Sequence, residues 1–341
     1  MFTTRLLCQA RHFRSRKPFA KAADEWIMST WGRRTRIGLL TTTVVAYPIG
    51  TLLVNGPLLR FTFPKRTETD ELPSHLRALV DDEYNAWKIR EGRNEKDAVV
   101  KFSVQKQFDD IDSIRAGSMG TRFGTRIAFP CFARFTNFED AQKYCQSKLE
   151  PLYVMKKPVG MVWDTTYAKE LIDTFVLSEN ALRFLINRDL FSQDGYQAYA
   201  NKAISWACFS TFSSFIGYWI HVRRAIPTAR SFAVIYLLFT SIAFYCGNEW
   251  HKLYTYMCDM HADITASRLS TDHSAGGHEY YTKLLKRNRL LRNLLDDGST
   301  IFTPTGDKLG VPTAYLLRYD LLRDSTKEFS EFEPVFEGDV F

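Results

Sequence analysis

Residues 257–269, MCDMHADITASRL, gather side chains that could hold a metal. Met257, Met260 and His261 stand at i, i+3 and i+4, one face of a helix, with Cys258 beside them. Thioether, thiolate and imidazole ligands suit Cu(I), so a copper-handling face is one reading. The other is that Met257 and Met260 fill a core or an interface, as flexible thioethers do. Asp259 and Asp263 are four residues apart and share a second face. A carboxylate such as Asp259 can be one ligand to Zn²⁺. Zinc hydrolysis would also need two imidazoles one helical turn apart and a carboxylate to act on the bound water. None of His12, His75, His221, His251, His261, His273 and His278 lies four residues from another. No catalytic residue, no cofactor and no small-molecule substrate are therefore expected, and the metal candidates are Met257, Met260, His261 and Asp259.

These residues sit on a helix that must follow a membrane segment. From Ala203 to Ile220 and from Ser231 to Asn248 the chain carries no charge, and only HVRRAIPTAR separates the two runs. About 20 such residues span the ~30 Å hydrocarbon core as a helix, so 203–222 and 231–248 read as a transmembrane hairpin. Residues 37–59 are also uncharged, although Pro48, Asn55, Gly56 and a threonine cluster weaken them. Pro and Gly are tolerated in such helices, and this is expected to be an N-terminal span. Arg33, Arg34 and Arg36 precede that span, and Arg223, Arg224 and Arg230 flank the hairpin turn. With three spans both basic clusters fall on one side, as the positive-inside rule requires.

The first 36 residues hold nine basic side chains against Asp24 and Glu25, which accounts for the whole net charge of +7. The remainder is neutral, so the basicity does not indicate nucleic-acid binding. A stretch rich in Arg, Leu and Phe, with no acid before Asp24, has the composition of a mitochondrial transit peptide. The six cysteines form no C-x-x-C pair, which excludes zinc ribbons and thioredoxin-type motifs.

The expected fold is a mainly helical α+β membrane protein. Its segments are a leader at 1–36, a span at 37–59, a soluble α+β region at 60–202, the hairpin, and a helical C-terminal region at 249–341. Residues 73–89 have helical spacing of Leu76, Leu79, Val80, Tyr84 and Trp87. Residues 97–105, 125–135 and 159–163 are strand candidates. Residues 165–191 read as one long helix. Gly276-Gly277 reads as a break before a helix at 278–295, whose KLLKRNRLLR stretch fits either a core or a lipid surface.

Residues 276–306 closely resemble the transmembrane protein 177 family. The match rests on Gly276, Gly277, Glu279, Tyr281, Leu284, Leu285, Asn288 and Arg292, and on the Thr303, Pro304, Gly306 loop. The GLL…YPIG run near Gly38 and the apolar hairpin follow in the same order. The resemblance implies a multi-pass protein of the mitochondrial inner membrane, without catalysis, whose surroundings are the lipid bilayer. It also implies an accessory role in cytochrome c oxidase biogenesis, with an assembly chaperone and newly made subunit 2 as partners. A fainter resemblance is to HtpX-like membrane metallopeptidases, which follow a zinc-binding helix with membrane spans and a later E-x-x-x-D helix. Asp259-x-x-Ala262-Asp263 matches that later helix. In the segment matching the zinc helix, Glu179 and Arg183, or Ser178 and Leu182, replace the histidines. This implies peptidase-like soluble parts that have lost their metal.

Overall fold

The computed structural model describes residues 17–93, 99–108, 110–148, 152–154, 157–223 and 228–331. Most of the expected leader (1–16), Arg224 of the hairpin turn and the acidic end beyond residue 331 lie outside the described residues. The longer helices are α1 (Lys17–Met28), α2 (Thr30–Asn55), α3 (Ser74–Arg90), α4 (Phe138–Lys148) and α5 (Thr166–Asp173). They continue with α6 (Glu179–Ser192), α7 (Tyr196–Arg223), α8 (Ala229–Ser267), α9 (Thr271–Leu294) and α10 (Tyr315–Glu331). The chain divides into two units, one of residues 1–52 and 200–251, the other of residues 53–199 and 252–341.

The first unit is helical. Asp24 accepts a hydrogen bond from the Ala229 amide at 2.8 Å, and Arg36 Nη1 lies 2.9 Å from His221 Nδ1. The beginning of α2 therefore shares an end of the unit with the last turn of α7 and the first residue of α8. Residues from Asp24 onward are built into this unit, so the segment boundary expected at residue 36 falls inside structured chain. α2 and α8 are long and apolar enough to cross a membrane, with mean hydropathy of 1.8 and 1.5 over their most apolar stretches. α7, which holds the expected span 203–222, is not apolar enough to stand beside them. Its Ser205, Ser210 and Ser213 hydroxyls are buried, and the first two bond back to the carbonyls of Asn201 and Ala207. Small hydroxyl residues of this kind pack inside bundles of membrane helices. Phe212 and Phe215 on α7, with Leu237, Leu238 and Phe244 on α8, stand outward, more than half exposed. An apolar surface of this extent does not face water in a monomeric soluble protein.

The second unit is α+β. Strands β1 (Thr69–Asp70), β2 (Val100–Gln105), β3 (Ile114–Gly117) and β4 (Thr125–Phe129) form a sheet in the order β1-β2-β4-β3. β2 and β4 run parallel, with Val100 opposite Thr125 and Val104 opposite Phe129. β3 is antiparallel to β4, and β5 (Leu152–Val154) pairs with β6 (Lys157–Val159) in a separate hairpin. The core joins this sheet to α3, α6 and α9 through Trp87, Phe129, Phe132, Phe175, Phe184 and Tyr280.

Several expectations change. Residues 125–135 leave the sheet at Pro130 and turn into a short 3-10 helix, Cys131–Arg134. Of residues 159–163 only Val159 is in a strand. The single helix expected over 165–191 is two. The Thr174 hydroxyl bonds back to Leu171 O at 2.6 Å where the first ends. Ser178 then caps the next by accepting from the Ala181 amide at 3.2 Å. Gly276-Gly277 does not break a helix, because α9 runs straight through both. The break lies at 268–270, where Ser270 caps α9. The glycines serve contact instead: a Cβ on Gly276 would lie 2.2 Å from Asn180 O. In KLLKRNRLLR, Leu284, Leu285, Arg287, Asn288 and Leu291 are buried, so this face serves the core.

Candidate functional site

The 257–269 segment forms the last turns of α8, and its two faces have different fates. Met257 is 61% exposed, His261 is exposed and Met260 is half-buried. Asp259, Ala262, Asp263 and Ala266 are buried, at the i, i+3, i+4, i+7 spacing of an inward stripe. The structure thus separates Asp259 from Met257 and His261. Among the described residues, no three His, Cys, Asp or Glu side chains are grouped so as to hold a metal ion.

What faces Asp259 and Asp263 is arginine. Arg318, from α10, chelates Asp263 through Nε and Nη2, the latter at 2.8 Å, and lies 3.8 Å from Asp259. Arg115, from β3, donates Nη2 to Asp259 at 3.1 Å and Nη1 to Ser192 Oγ at 2.6 Å. Its Nη1 also stands 3.5 Å from Asp189. Arg188, on α6, bonds Asp189 at 2.8 Å and Asp112 at 2.7 Å. The phenols close the rim: Tyr280 donates to Asp112 at 2.7 Å and Tyr281 to Asp263 at 2.8 Å. Arg188 lies over the Tyr280 ring and Arg318 over the Tyr281 ring, at 5.1 and 5.2 Å.

Four buried carboxylates thus share a site with three guanidinium groups, with Arg287 nearby as a fourth. Buried charges persist where opposite charges and hydrogen bonds replace water. Burial pushes the Asp112 carboxyl up, but Arg188, Arg318 and Arg115 outweigh it and hold the group well below the carboxylate range. Burial penalises the Arg188 and Arg318 guanidinium groups too, and their aspartates hold both firmly protonated. Arg287 is lowered to about 10 by burial. It sits 3.8 Å from the centre of the Phe132 ring and donates to Ile111 O. Among the described residues nothing hydrogen-bonds Asp189 Oδ2, which is buried. The cluster binds charge to charge, and burial raises the Asp263 carboxyl even against the pull of Arg318.

The residues matched to the peptidase zinc helix point elsewhere. Arg183 bonds Glu179, Asp82 and Glu83 at the contact of α6 with α3. Glu83 also accepts from Asn187 at 2.6 Å and faces His273 at 3.5 Å. Burial pushes the Glu83 carboxyl up, but bonds from His273, Asn187 and Arg183 bring it down to about 2.

The family-motif residues are architectural. Glu279 accepts from the Ser178 amide at 3.0 Å and pairs with Lys283 at 2.8 Å. Leu284 and Leu285 are core. Asn288 Nδ2 donates to Gly306 O at 2.8 Å and Arg292 Nε to Phe302 O at 3.1 Å. Gly306 has φ +97, and a Cβ there would lie 2.3 Å from Leu285 O, so only glycine fits. Thr303 Oγ1 accepts from the Asp307 amide within the same turn, and Pro304 is exposed.

Asp112, Arg115, Arg188, Asp189 and Arg318 were not singled out from the sequence. The available signal was charge inside apolar runs, as in FLINRDLF and YLLRYDLL. A helical charge in such a run is either buried and paired or on a narrow polar face, and spacing alone does not separate these cases.

The model of the family described as transmembrane protein 177 matches residues 27–340. An uncharacterized protein of Caenorhabditis elegans is 43% identical over 321 residues, covering 93% of this chain and 96% of the relative. No solved structure matches. The comparisons lend nothing to the peptidase-like scaffold expected from the Asp259–Asp263 pattern.

Proposed function

Because the chain belongs to the transmembrane protein 177 family, we propose that it is a non-catalytic accessory factor of the mitochondrial inner membrane. In this reading it supports cytochrome c oxidase biogenesis by stabilising an assembly chaperone that handles newly made subunit 2. The observation that carries the non-catalytic part is the pairing of Asp112, Asp189, Asp259 and Asp263 with Arg115, Arg188 and Arg318. Carboxylates so paired are committed to guanidinium groups rather than to a metal-bound water. The mitochondrial assignment is supported by the acid-free basic leader. The topology is supported by Arg36 and His221 meeting at one end of the helical unit. With the basic clusters on the matrix side, residues 60–202 and 249–341 face the intermembrane space.

Crosslinking in intact mitochondria followed by affinity purification tests the partners, and recovery of oxidase assembly factors with subunit 2 is expected. Their absence would count against the reading. A C-terminal tag should be digested by protease in mitoplasts, and a protected tag would refute the orientation.

A further inference from the structure

One cavity in the helical unit differs in chemistry from its surroundings. It has a volume of about 80 Å³ and is lined by Tyr47, Lys202, Trp206, Phe244, Asn248 and His251 with one glycine. Tyr47 and Trp206 pack at 5.0 Å, and the Trp206 indole donates to Thr43 O at 3.0 Å. His251 Nδ1 lies 3.2 Å from the Asn201 amide nitrogen, which fixes its ring beside Lys202. Among the described residues no carboxylate lines this space. Among the described residues Lys202 makes no ion pair either. The cavity therefore combines an uncompensated cation and amide donors with aromatic walls.

Its depth says what such a lining could meet. The Arg36–His221 contact marks one end of the unit. From His221 back to Lys202, and from Ser231 forward to His251, a helix rises about 29 and about 30 Å. That is the ~30 Å thickness of the hydrocarbon core, so the cavity lies at the opposite headgroup layer. Phe244, an exposed member of its lining, adds apolar surface there, as aromatic side chains do at a membrane interface.

The geometry points to a binding site for the phosphate of an anionic phospholipid, with Lys202 and His251 on the headgroup and Trp206 and Phe244 along the upper acyl chain. This rests on the membrane-spanning reading and adds to it a selected lipid class. The test uses the full chain reconstituted in phosphatidylcholine bilayers with trace spin-labelled phosphatidylglycerol or phosphatidylcholine. The electron spin resonance spectrum then reports the immobilised fraction. Phosphatidylglycerol should be preferred about fivefold, the factor one lysine contributes beside an anionic surface. Lys202→Gln should abolish most of that preference and Lys202→Arg should retain it. Equal immobilisation of the two lipids, or a preference that Lys202→Gln leaves intact, overturns the proposal. Displacement of the labelled lipid by inorganic phosphate, but not by chloride at equal ionic strength, would assign the site to free phosphate and overturn the lipid source. Failure to enter any bilayer would instead refute the membrane reading on which the site depends.

Discussion

Replacing Arg318 by Met removes a guanidinium that is 2% exposed and leaves its volume largely filled. Asp263, fully buried, then loses both bonds of its chelating partner and retains only the Tyr281 hydroxyl at 2.8 Å. Asp259 keeps Arg115 at 3.1 Å. Unit charges ~4 Å apart interact by about 4 kcal/mol at an effective dielectric of 20. Stripping one partner from a buried pair costs about 3–5 kcal/mol. Arg318→Met should therefore lower the unfolding free energy by about 4 kcal/mol in urea titrations of the full chain in mild detergent, with an unchanged m-value. The double variant Asp263→Leu, Arg318→Met removes the orphaned charge with its partner, and should recover at least about 2 kcal/mol of that loss. Burial already raises the Asp263 carboxyl against the pull of Arg318, and loss of Arg318 raises it further. The added deficit is full above that raised value, shrinks as pH falls below it and is gone below about pH 4. A single variant within about 1 kcal/mol of the parent, or a double variant as unstable as the sum of the two singles, would refute the account of a charge-balanced cluster.

Three further outcomes follow from the same geometry. Glu83, lowered to about 2 from 4.5, contributes stability that is fully present above about pH 4.5 and lost as pH falls towards 2. Glu83→Gln should remove about 1–2 kcal/mol of it after solvent screening, and a parallel pH dependence in both proteins would exclude the linkage. Gly276→Ala should destabilise by about 1–3 kcal/mol despite alanine's ~1 kcal/mol helix advantage, because its Cβ meets the backbone of Asn180. Gly277→Ala meets only the movable side chains of Leu322 and Phe184 and should cost less, as thermal melts would show. Ser178→Ala removes the cap of α6 and a donor to Glu279, and should cost about 1–2 kcal/mol by the same measurement.

Patterns that act within one element were legible in the sequence. The helix at 74–90 follows from the spacing of Leu76, Val80 and Trp87, all buried. The two apolar stretches at the centres of α2 and α8 follow from composition. What failed depended on contacts between distant elements. A double glycine reads as a helix breaker by propensity, yet here it is the face on which α6 packs, and only the Asn180 carbonyl distinguishes the two. The stripe of Asp259 and Asp263 was visible as a shared face. Its partners could not be inferred, since Arg115 and Arg318 lie 144 and 55 residues from the aspartates they bond. The family motif shows the same limit from the other side. Asn288, Arg292 and Gly306 were picked out as a pattern, and their reason is a turn held by Gly306 O and Phe302 O.

The cluster ties together strand β3, helix α6, the end of α8, helix α9 and helix α10. Apolar residues of equal volume could hold these elements at no loss of stability, since buried ion pairs recover little beyond their desolvation cost. They could not fix the register as narrowly. A leucine core tolerates rotation or sliding of one helix on another by a fraction of a turn. A shift of that size would leave several buried carboxylates without partners, each at the cost of a broken pair. We take this to be what the charges contribute: Asp259 and Asp263 set the rotation of the last turns of α8, residues 252–267, against Arg115 and Arg318. The double Asp263→Leu, Arg318→Met variant separates the two roles. It should remain folded, but with broadened tertiary signals in near-ultraviolet circular dichroism and faster amide exchange around residues 259–267. Unchanged exchange there would show that packing alone fixes the helix.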